Sequence, residues 1–253
     1  MKFLTYNIHR WIGGDGRMDV PRLAAVLQES GADVLALQEV VHPLPDGRRP
    51  LAELAEWLGM EWVFGPSDEH VRCAGGVCRL GNAILSRYPI LSWANYPLPG
   101  LRRFTRRAVL TARLHLGDNL AGTVHATHLD HLWEPVRLAQ LAALLPLMAR
   151  SRHEPHWLLG DFNAPSLSGP RTRALAAPVI RRLRTAGYAD AFATVGRGPG
   201  ATFPARTPFL RLDYLFVANR WANGLRACQP LDGDLVHWAS DHRPVLASWE
   251  WTP

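Results

Sequence analysis

Lysine is almost missing from this sequence. Lys2 is the only one, so the formal charge of +6 rests on arginine. A basic surplus invites a polyanionic partner. Beside abundant Ala, Pro, Leu and Trp, however, it is equally the mark of a compositional bias, so arginines inform only where they stand next to chemistry. Cysteine is scarce too. Cys73, Cys78 and Cys228 are an odd set with no dense framework, which favours a reducing, cytoplasmic setting. Cys73 and Cys78 with nearby His70 hint at a metal loop, but their spacing fits no common zinc motif, and free thiols or a local disulfide are the alternatives. Long apolar runs are absent as well: "LAQLAALLPLMA" is short and holds a proline, too little to span a bilayer. "MKFLTYNIH" turns polar almost at once, so no signal peptide is expected. There is no G-x-S-x-G elbow, no Walker loop and no H-E-x-x-H helix. The glycine-rich "GRGPGA" lacks the preceding strand and following helix of a dinucleotide site.

What remains is an ordinary globular composition, 47% hydrophobic and 20% charged over 253 residues, enough for a substantial core. "KFLTYNI" is a short β-prone segment running into the loop "GGDGR". "MDVPRLAAVLQESG" predicts a helix, with Asp19 as cap, Pro21 in the first turn, Gly31 as stop, and Val20, Leu23, Ala24 and Leu27 on one face. "DVLALQEV" is a near-continuous apolar run, as in a strand covered on both sides. A second helix is expected over Leu51–Leu58. Beyond "MEWVFGP" come β-like runs, "NAILSRYPI", "RRAVLTARLHL" and "LAGTVHATHLDH", the last two separated by "GDN", which makes a hairpin. "EPVRLAQLAALLPLMARS" predicts a helix that Pro146 should kink or shorten. "HWLLGDFNAP" is a buried strand, "GPRTRALAAPVIRRLRTAG" is mostly helical, and "LDYLFVA" and "RPVLASWEW" are late strands. With no repeat, linker or low-complexity tract, one α/β domain over residues 1–253 is expected.

Several strands end in the same polar punctuation: Asn7, Glu39, His128, Asp161 and Asp241. Strand ends and their loops are where functional groups collect. Each residue alone has a plain alternative. Asn7 suits a turn. Glu39 suits a salt bridge or an exposed strand end, because an unpaired buried carboxylate is costly. His128, followed by Asp130 and His131, suits a structural hydrogen bonder, and Asp213 a cap or an ion pair with Arg211. Asp161 and Asn163 are two residues apart and share a side if the strand persists. An Asx-turn explains one of them; a site explains both. In "SDHRPV", Asp241 and His242 face opposite ways if extended, unless the turn re-aims them.

Taken in order, "TYNIH", "LQEV", "GNAILSR", "THLDH", "GDFNAP", "LDYLFV" and "SDHRPV" resemble the endonuclease/exonuclease/phosphatase superfamily across almost the whole chain. "GDFN" and "SDHRP" are the specific pieces. The resemblance implies a four-layer α/β sandwich: two mostly antiparallel sheets face to face, helices outside. It also implies a Mg2+-dependent (alternatively Mn2+-dependent) phosphoester hydrolase, since in-line displacement at phosphorus needs a dication, a positioned water and donors for growing charge.

By the same resemblance Glu39 is the principal metal carboxylate, with Asn7 close by and Asp241 at or near the ion. Asp161 orients or deprotonates water, Asn163 binds phosphate or holds Asp161, and His128 contacts phosphate. Asp213 pairs with His242 and fixes its tautomer. Whether Asp161 or His242 is the general base stays open. Asn82 and Arg107 are the substrate-side residues, Arg107 having a solvated strand edge as its alternative; His9 and the Asp15–Gly16 loop lie near the metal side. Three substrates compete. Nucleic acid would be gripped by Arg102–Arg107 and Arg171–Arg173 and stacked on Trp11, Phe104 and Trp133. A small or lipid-derived phosphoester is the second, with peripheral membrane contact through tryptophans beside arginines. A non-catalytic phosphate- or partner-binding protein is the third, disfavoured because every ionisable position is filled. A monomer is expected.

Overall fold

The computed structural model describes all residues except 74, 101–105, 118–119, 168–175 and 252–253. The first half runs β1 (Lys2–Asn7), α1 (Val20–Ser30), β2 (Val34–Val41), α2 (Pro50–Leu58), β3 (Glu61–Cys73), β4 (Gly76–Ser86) and β5 (Ile90–Leu98). It continues through β6 (Arg107–Gly117), β7 (Leu120–His128), α3 (Glu134–Ala149), β8 (His156–Leu167) and α4 (Pro178–Thr185). The chain closes with β9 (Tyr188–Asp190), α5 (Ala191–Val195), β10 (Leu210–Ala218), β11 (Leu225–Pro230), α6 (Asp234–Ala239) and β12 (Val245–Trp249). The strands form two six-stranded sheets, ordered β11-β12-β1-β2-β4-β3 and β5-β6-β7-β8-β10-β9.

Each sheet is antiparallel except for one pair at its centre: β1 with β2, and β7 with β8. A parallel pair needs a crossover, and the crossovers carry α1 and α3. The same geometry puts the C-terminal ends of both strands of a pair at one end of their sheet. Helix α1 is built as its residues dictate. Asp19 accepts from Arg22 N at 2.9 Å, proline occupies the first turn, and Gly31 ends the helix at φ 59°.

The four layers follow from strand periodicity. Phe3, Val34, Ala36, Ile84, Leu110, Ala112, Val124, Ala126, Trp157, Leu159, Leu215, Val217, Val245 and Ala247 form one apolar cluster, where the inner faces of the sheets meet. Leu4, Tyr6, Leu35 and Leu37, one residue out of step, pack instead with the apolar faces of α1 and α2. Leu158, Phe162, Tyr214 and Phe216 do the same with α3 and α4.

Three sequence expectations change here. Pro146 sits inside α3 without ending it; the helix runs to Ala149, and three residues from that end a missing N–H costs little of the ladder. Cys73 and Cys78 are joined by a disulfide across the β3–β4 hairpin, so the metal loop with His70 has no thiolate ligands left, and the reducing setting loses its cysteine argument. Cys228 is a free, buried thiol. The "GDN" turn falls partly outside the described residues, but β6 and β7 pair as the expected antiparallel hairpin. The helix expected from "GPRTRALAAPVIRRLRTAG" is described only from Pro178. Among the described residues, no helix is long and apolar enough to cross a membrane.

Candidate active site

The inner rows of the two sheets do not stay apolar to their ends. Following Phe3 by twos reaches Thr5 and Asn7; following Trp157 and Leu159 reaches Asp161; stepping back from Val217 and Leu215 reaches Asp213. Register completes the convergence, with Asn7 opposite Gln38, His128 opposite Asp161, and Asp161 opposite Asp213. Gly160 permits it. A Cβ there would lie 1.9 Å from Thr127 O, so only glycine lets β8 approach β7 at this level.

Asp161 is the meeting point. Its Oδ1 accepts from Asn163 N at 2.8 Å, and its Oδ2 from Asn7 Nδ2 at 3.0 Å. The same Oδ2 lies 3.5 Å from His128 Nε2 and 3.7 Å from His242 Nε2. Burial raises this carboxyl to about 6, against the opposing pull of His242. His242 is also held by Asp213, whose Oδ2 is 2.8 Å from Nδ1. Burial pushes the imidazole down, but Asp213 and then Asp161 more than offset it and raise it to about 10, so His242 is an imidazolium at neutral pH. The turn has re-aimed its two residues: His242 is buried, while Asp241 is 38% exposed at its side chain, with Oδ1 3.9 Å from His9 Nδ1.

His128 is the opposite case. Arg107 Nη1 lies 2.9 Å from His128 Nδ1, and a guanidinium can only donate, so Nδ1 accepts and Nε2 carries the ring proton. Burial, then the Arg107 charge, keep His128 well below the usual histidine range and therefore neutral. With that tautomer the Asn163 amide meets His128 Nε2 donor to donor at 2.9 Å and spends its Nδ2 on Leu129 O at 3.1 Å, so the acceptor facing the Nε2 proton is Asp161 Oδ2, 3.5 Å away. Asp161 and Asn163 thus do share a side, with Asn163 at φ 48°. Arg107 is buried, not the solvated strand edge that was its alternative, and its Nε has no hydrogen-bond partner.

Glu39 reaches the site by a different device. The β2–β4 pairing slips between Leu37 and Val40, and Glu39 itself sits at φ 55°. Such a bulge re-aims a side chain that a regular strand would send elsewhere. The backbones around Asn7, Glu39 and Asp241 are tied together: Ile8 N donates to Gln38 O at 3.0 Å and Ser240 Oγ to Asn7 O at 2.7 Å, while Asn7 Oδ1 accepts from His9 N at 3.0 Å. Asn7, Glu39 and Asp241 are all hard oxygen donors, and Glu39 lies 3.4 Å from Arg10 Nε and within the electrostatic reach of buried Arg107. Two carboxylates and an amide oxygen suit a dication of the Mg2+ kind. Asp161, Asp213 and His242 also present ligand-type atoms within 4.8 Å of one another. There His242 sits between two carboxylates, an arrangement that can share its ring protons or, with the imidazole neutral, offer three ligands to an ion.

Other expected residues land elsewhere. Asn82 spends its amide donors on Ala108 O (3.0 Å) and Ala126 O (3.4 Å), bridging the two sheets. Asp130 caps the turn after β7, accepting from Leu132 N and Trp133 N. Trp11 is buried and donates to Val41 O at 2.8 Å, so it offers no face for stacking. Arg102, Arg103, Phe104, Arg171 and Arg173 lie outside the described residues. Asp213 does not pair with Arg211, which turns instead to Asp190. Sequence reasoning missed Arg10, Ser240 and Thr202. Thr202 Oγ1 accepts from Asp213 N at 3.3 Å and so helps seat that carboxylate. A short hydroxyl eleven residues before the carboxylate it serves carries no local signal.

The fold and these convergent strand ends define the α/β sandwich of phosphoester hydrolases, with a buried proton-carrying pair, a second carboxylate and a separate set of oxygen donors. The model of the Endonuclease/Exonuclease/phosphatase family matches residues 4–242, and the chain belongs to that family, whose enzymes hydrolyse phosphoesters and usually use a divalent metal. It is 30% identical to the protein YbhP of Escherichia coli (strain K12) over 97% of this chain and 94% of that one. Among solved structures, an endonuclease/exonuclease/phosphatase from Beutenbergia cavernae DSM 12333 superposes with a TM-score of 0.81 at 27% identity, covering 98% of this chain and 70% of that one. A mannosyl-6-phosphatase of Bacteroides thetaiotaomicron VPI-5482 shares the fold, with a TM-score of 0.77 at 18% identity over 99% of this chain and all of that one (100%).

Proposed function

We propose that this chain hydrolyses a phosphoester, a phosphodiester in the first instance, by in-line attack of a water that Asp161 deprotonates. The observation that carries this reading is the opposed pair at the centre of the site: Asp161 raised to about 6 and His242 to about 10, with Asp161 Oδ2 3.7 Å from His242 Nε2. Neighbouring groups whose proton affinities are driven apart divide acid and base roles. Asp161 is ionised at neutral pH and accepts a proton; His242 is already protonated and has nothing to accept with. The imidazolium instead holds a phosphoryl oxygen, while Asp213 keeps its ring oriented. Arg107, with Nε unpartnered, and neutral His128, with its proton on Nε2, add donors where negative charge grows. Asn163 positions the Asp161 carboxylate through its backbone N–H.

Asn7, Glu39 and Asp241 would hold Mg2+ or Mn2+, which when bound supplies charge stabilisation at the phosphoryl oxygens. The same site admits a smaller substrate. A cavity of about 570 Å³ beside Asp241 favours that second reading, as does a relative named for acting on a sugar phosphate.

A metal-titrated panel tests the proposal: abasic DNA, plasmid, single-stranded RNA, bis-p-nitrophenyl phosphate and phospholipid head-group esters. Metal-dependent release from the simple diester is expected. Cleavage of simple diesters with no action on any polynucleotide eliminates a nuclease. No hydrolysis across the panel at any metal concentration leaves a phosphate-binding protein instead.

A further inference from the structure

The cavity beside Asp241 has fixed walls and, among the described residues, one uncommitted cation. Gly14 forms one side: its N–H donates to Trp238 O at 3.0 Å, and a Cβ there would lie 3.2 Å from His237 O. Residues 204–207 form the other, and the segment from Thr202 to Ala205 is pinned to the "SDHRP" turn by three hydrogen bonds. Ala205 N donates to Asp241 O at 2.7 Å, Arg243 N to Thr202 O at 2.7 Å, and Arg243 Nε to Ala205 O at 2.6 Å. At about 570 Å³ the space matches a small-molecule site.

The charges around it are mostly spoken for. Arg243 and His237 both meet Asp232, Arg22 meets Asp15 and Asp19, and Arg10 meets Glu39. Arg206 is different. Its guanidinium stacks 4.5 Å from the Trp238 ring centroid, and no carboxylate pairs with it among the described residues. Stacking occupies the planar face and leaves the N–H edge free for a two-oxygen acceptor. A polynucleotide would need a track of unpaired cations. This rim, with one, suits a single extra anion.

We infer that the cavity receives the alcohol part of the phosphoester and that Arg206 binds a second anionic group on it, a carboxylate or a second phosphate. The substrate is then a small bis-anionic phosphoester. This rests on the hydrolytic reading above.

The test measures inhibition of bis-p-nitrophenyl phosphate hydrolysis, with Mg2+, by two pairs that differ by one anion: glycerol 3-phosphate against 3-phosphoglycerate, and fructose 6-phosphate against fructose 1,6-bisphosphate. In at least one pair the extra anion tightens inhibition about tenfold, the size of one charged hydrogen-bonded contact. Which pair responds tells carboxylate from phosphate. Arg206→Gln removes the difference without changing kcat on the simple diester, and Arg206→Lys restores part of it. Thr207→Trp, filling the cavity from an exposed position, raises KM for organic esters but leaves inhibition by inorganic phosphate unchanged. Equal inhibition within both pairs overturns the inference, as does an Arg206→Gln loss equal across each pair. An oligonucleotide that outcompetes every small phosphate independently of Arg206 also overturns it. Should no phosphoester be hydrolysed, or should hydrolysis survive Asp161→Asn, the hydrolytic reading fails separately. Calorimetric binding of the same four compounds then decides on the cavity by the same criteria.

Discussion

His242 Nδ1 lies 2.8 Å from Asp213 Oδ2, and the other Asp213 oxygen, buried, has no hydrogen-bond partner. Asp213 is thus committed to the imidazole, and its full charge acts there. Asp213→Asn keeps the shape and removes the charge. Proton affinity at His242 should fall from about 10 toward the ordinary histidine value, so the imidazolium is lost as pH rises through neutrality. The expected result is a kcat loss of roughly 100-fold or more with a much smaller KM change. The high-pH limb of the rate profile moves down at the same time. An NMR titration of the His242 ring reports the shift directly.

Asp161 sets the other limb. Burial raises it to about 6, so the base is present above that pH and protonated below it. Activity at saturating metal should therefore fall as pH drops through about 6, and Asp161→Asn should cost roughly 100- to 10,000-fold in kcat at pH 7.5. A profile that stays flat from pH 7.5 to 4.5 would remove Asp161 as the base.

Glu39 has an independent test. Its strained backbone at φ 55° and the β2 bulge exist to re-aim one carboxylate, and Glu39→Gln keeps both while halving the ligand charge. Metal-dependent activity should be lost, with a raised metal requirement in a Mg2+ titration and an unaltered melting curve without metal. Near-wild-type turnover at the same Mg2+ concentration removes Glu39 from the ligand set.

Three residues before His128 on β7, His125 makes acid stability measurable. Burial, then His156, lower it to about 3, with Nδ1 2.9 Å from Thr111 Oγ1 and Nε2 unpartnered. The unfolded chain takes up a proton below about 6.5, whereas the folded chain does not until about 3. Between those values the unfolded state binds more protons, so stability rises with pH and is lost on acidification. The limit is about 1.4 kcal/mol per pH unit for this one group. Urea unfolding at pH 7, 5.5 and 4.5 measures the slope, and His125→Gln should flatten it.

Much of this was legible before any coordinates. Helix α1 announced itself through Asp19, Pro21 and Gly31, because caps and stops are local chemistry. Asn7 and His128 were visible as strand ends because each breaks an apolar run with a polar residue; Glu39 and Asp161 stood out the same way but lie inside strands that run on to Val41 and Leu167. The roles within the site were not. Whether His242 is cation or base depends on Asp213 and Asp161, 29 and 81 positions away, and on burial that no local spacing encodes. Trp11 looked like a loop aromatic and proved to be core, since a backbone at φ 70° turns it inward. Asn82 was read as substrate-side, but that its Nδ2 bridges to Ala108 O, next to Arg107, and Ala126 O on the opposite sheet is a partnership only the sandwich supplies.

Gly160 joins fold and site most directly, and its substitution separates the two. The β7–β8 register that sets His128 against Asp161 requires the two backbones to close up at Gly160, where an added Cβ would sit 1.9 Å from Thr127 O. That oxygen belongs to a central strand and has no rotamer through which to escape. Gly160→Ala must therefore push β8 away from β7. The expected destabilisation is about 3 kcal/mol or more, the upper range for an overpacked core, visible as a lower urea midpoint. Activity should fall by more than the unfolded fraction explains, because the shift also lengthens the 3.5 Å His128–Asp161 separation. Gly122→Ala, where Leu116 and Trp157 side-chain atoms lie 2.8 Å away, is the control. Its crowding falls on two side chains and, at 3.1 Å, on Pro155 O near the start of β7, so stability should drop while kcat per folded molecule holds.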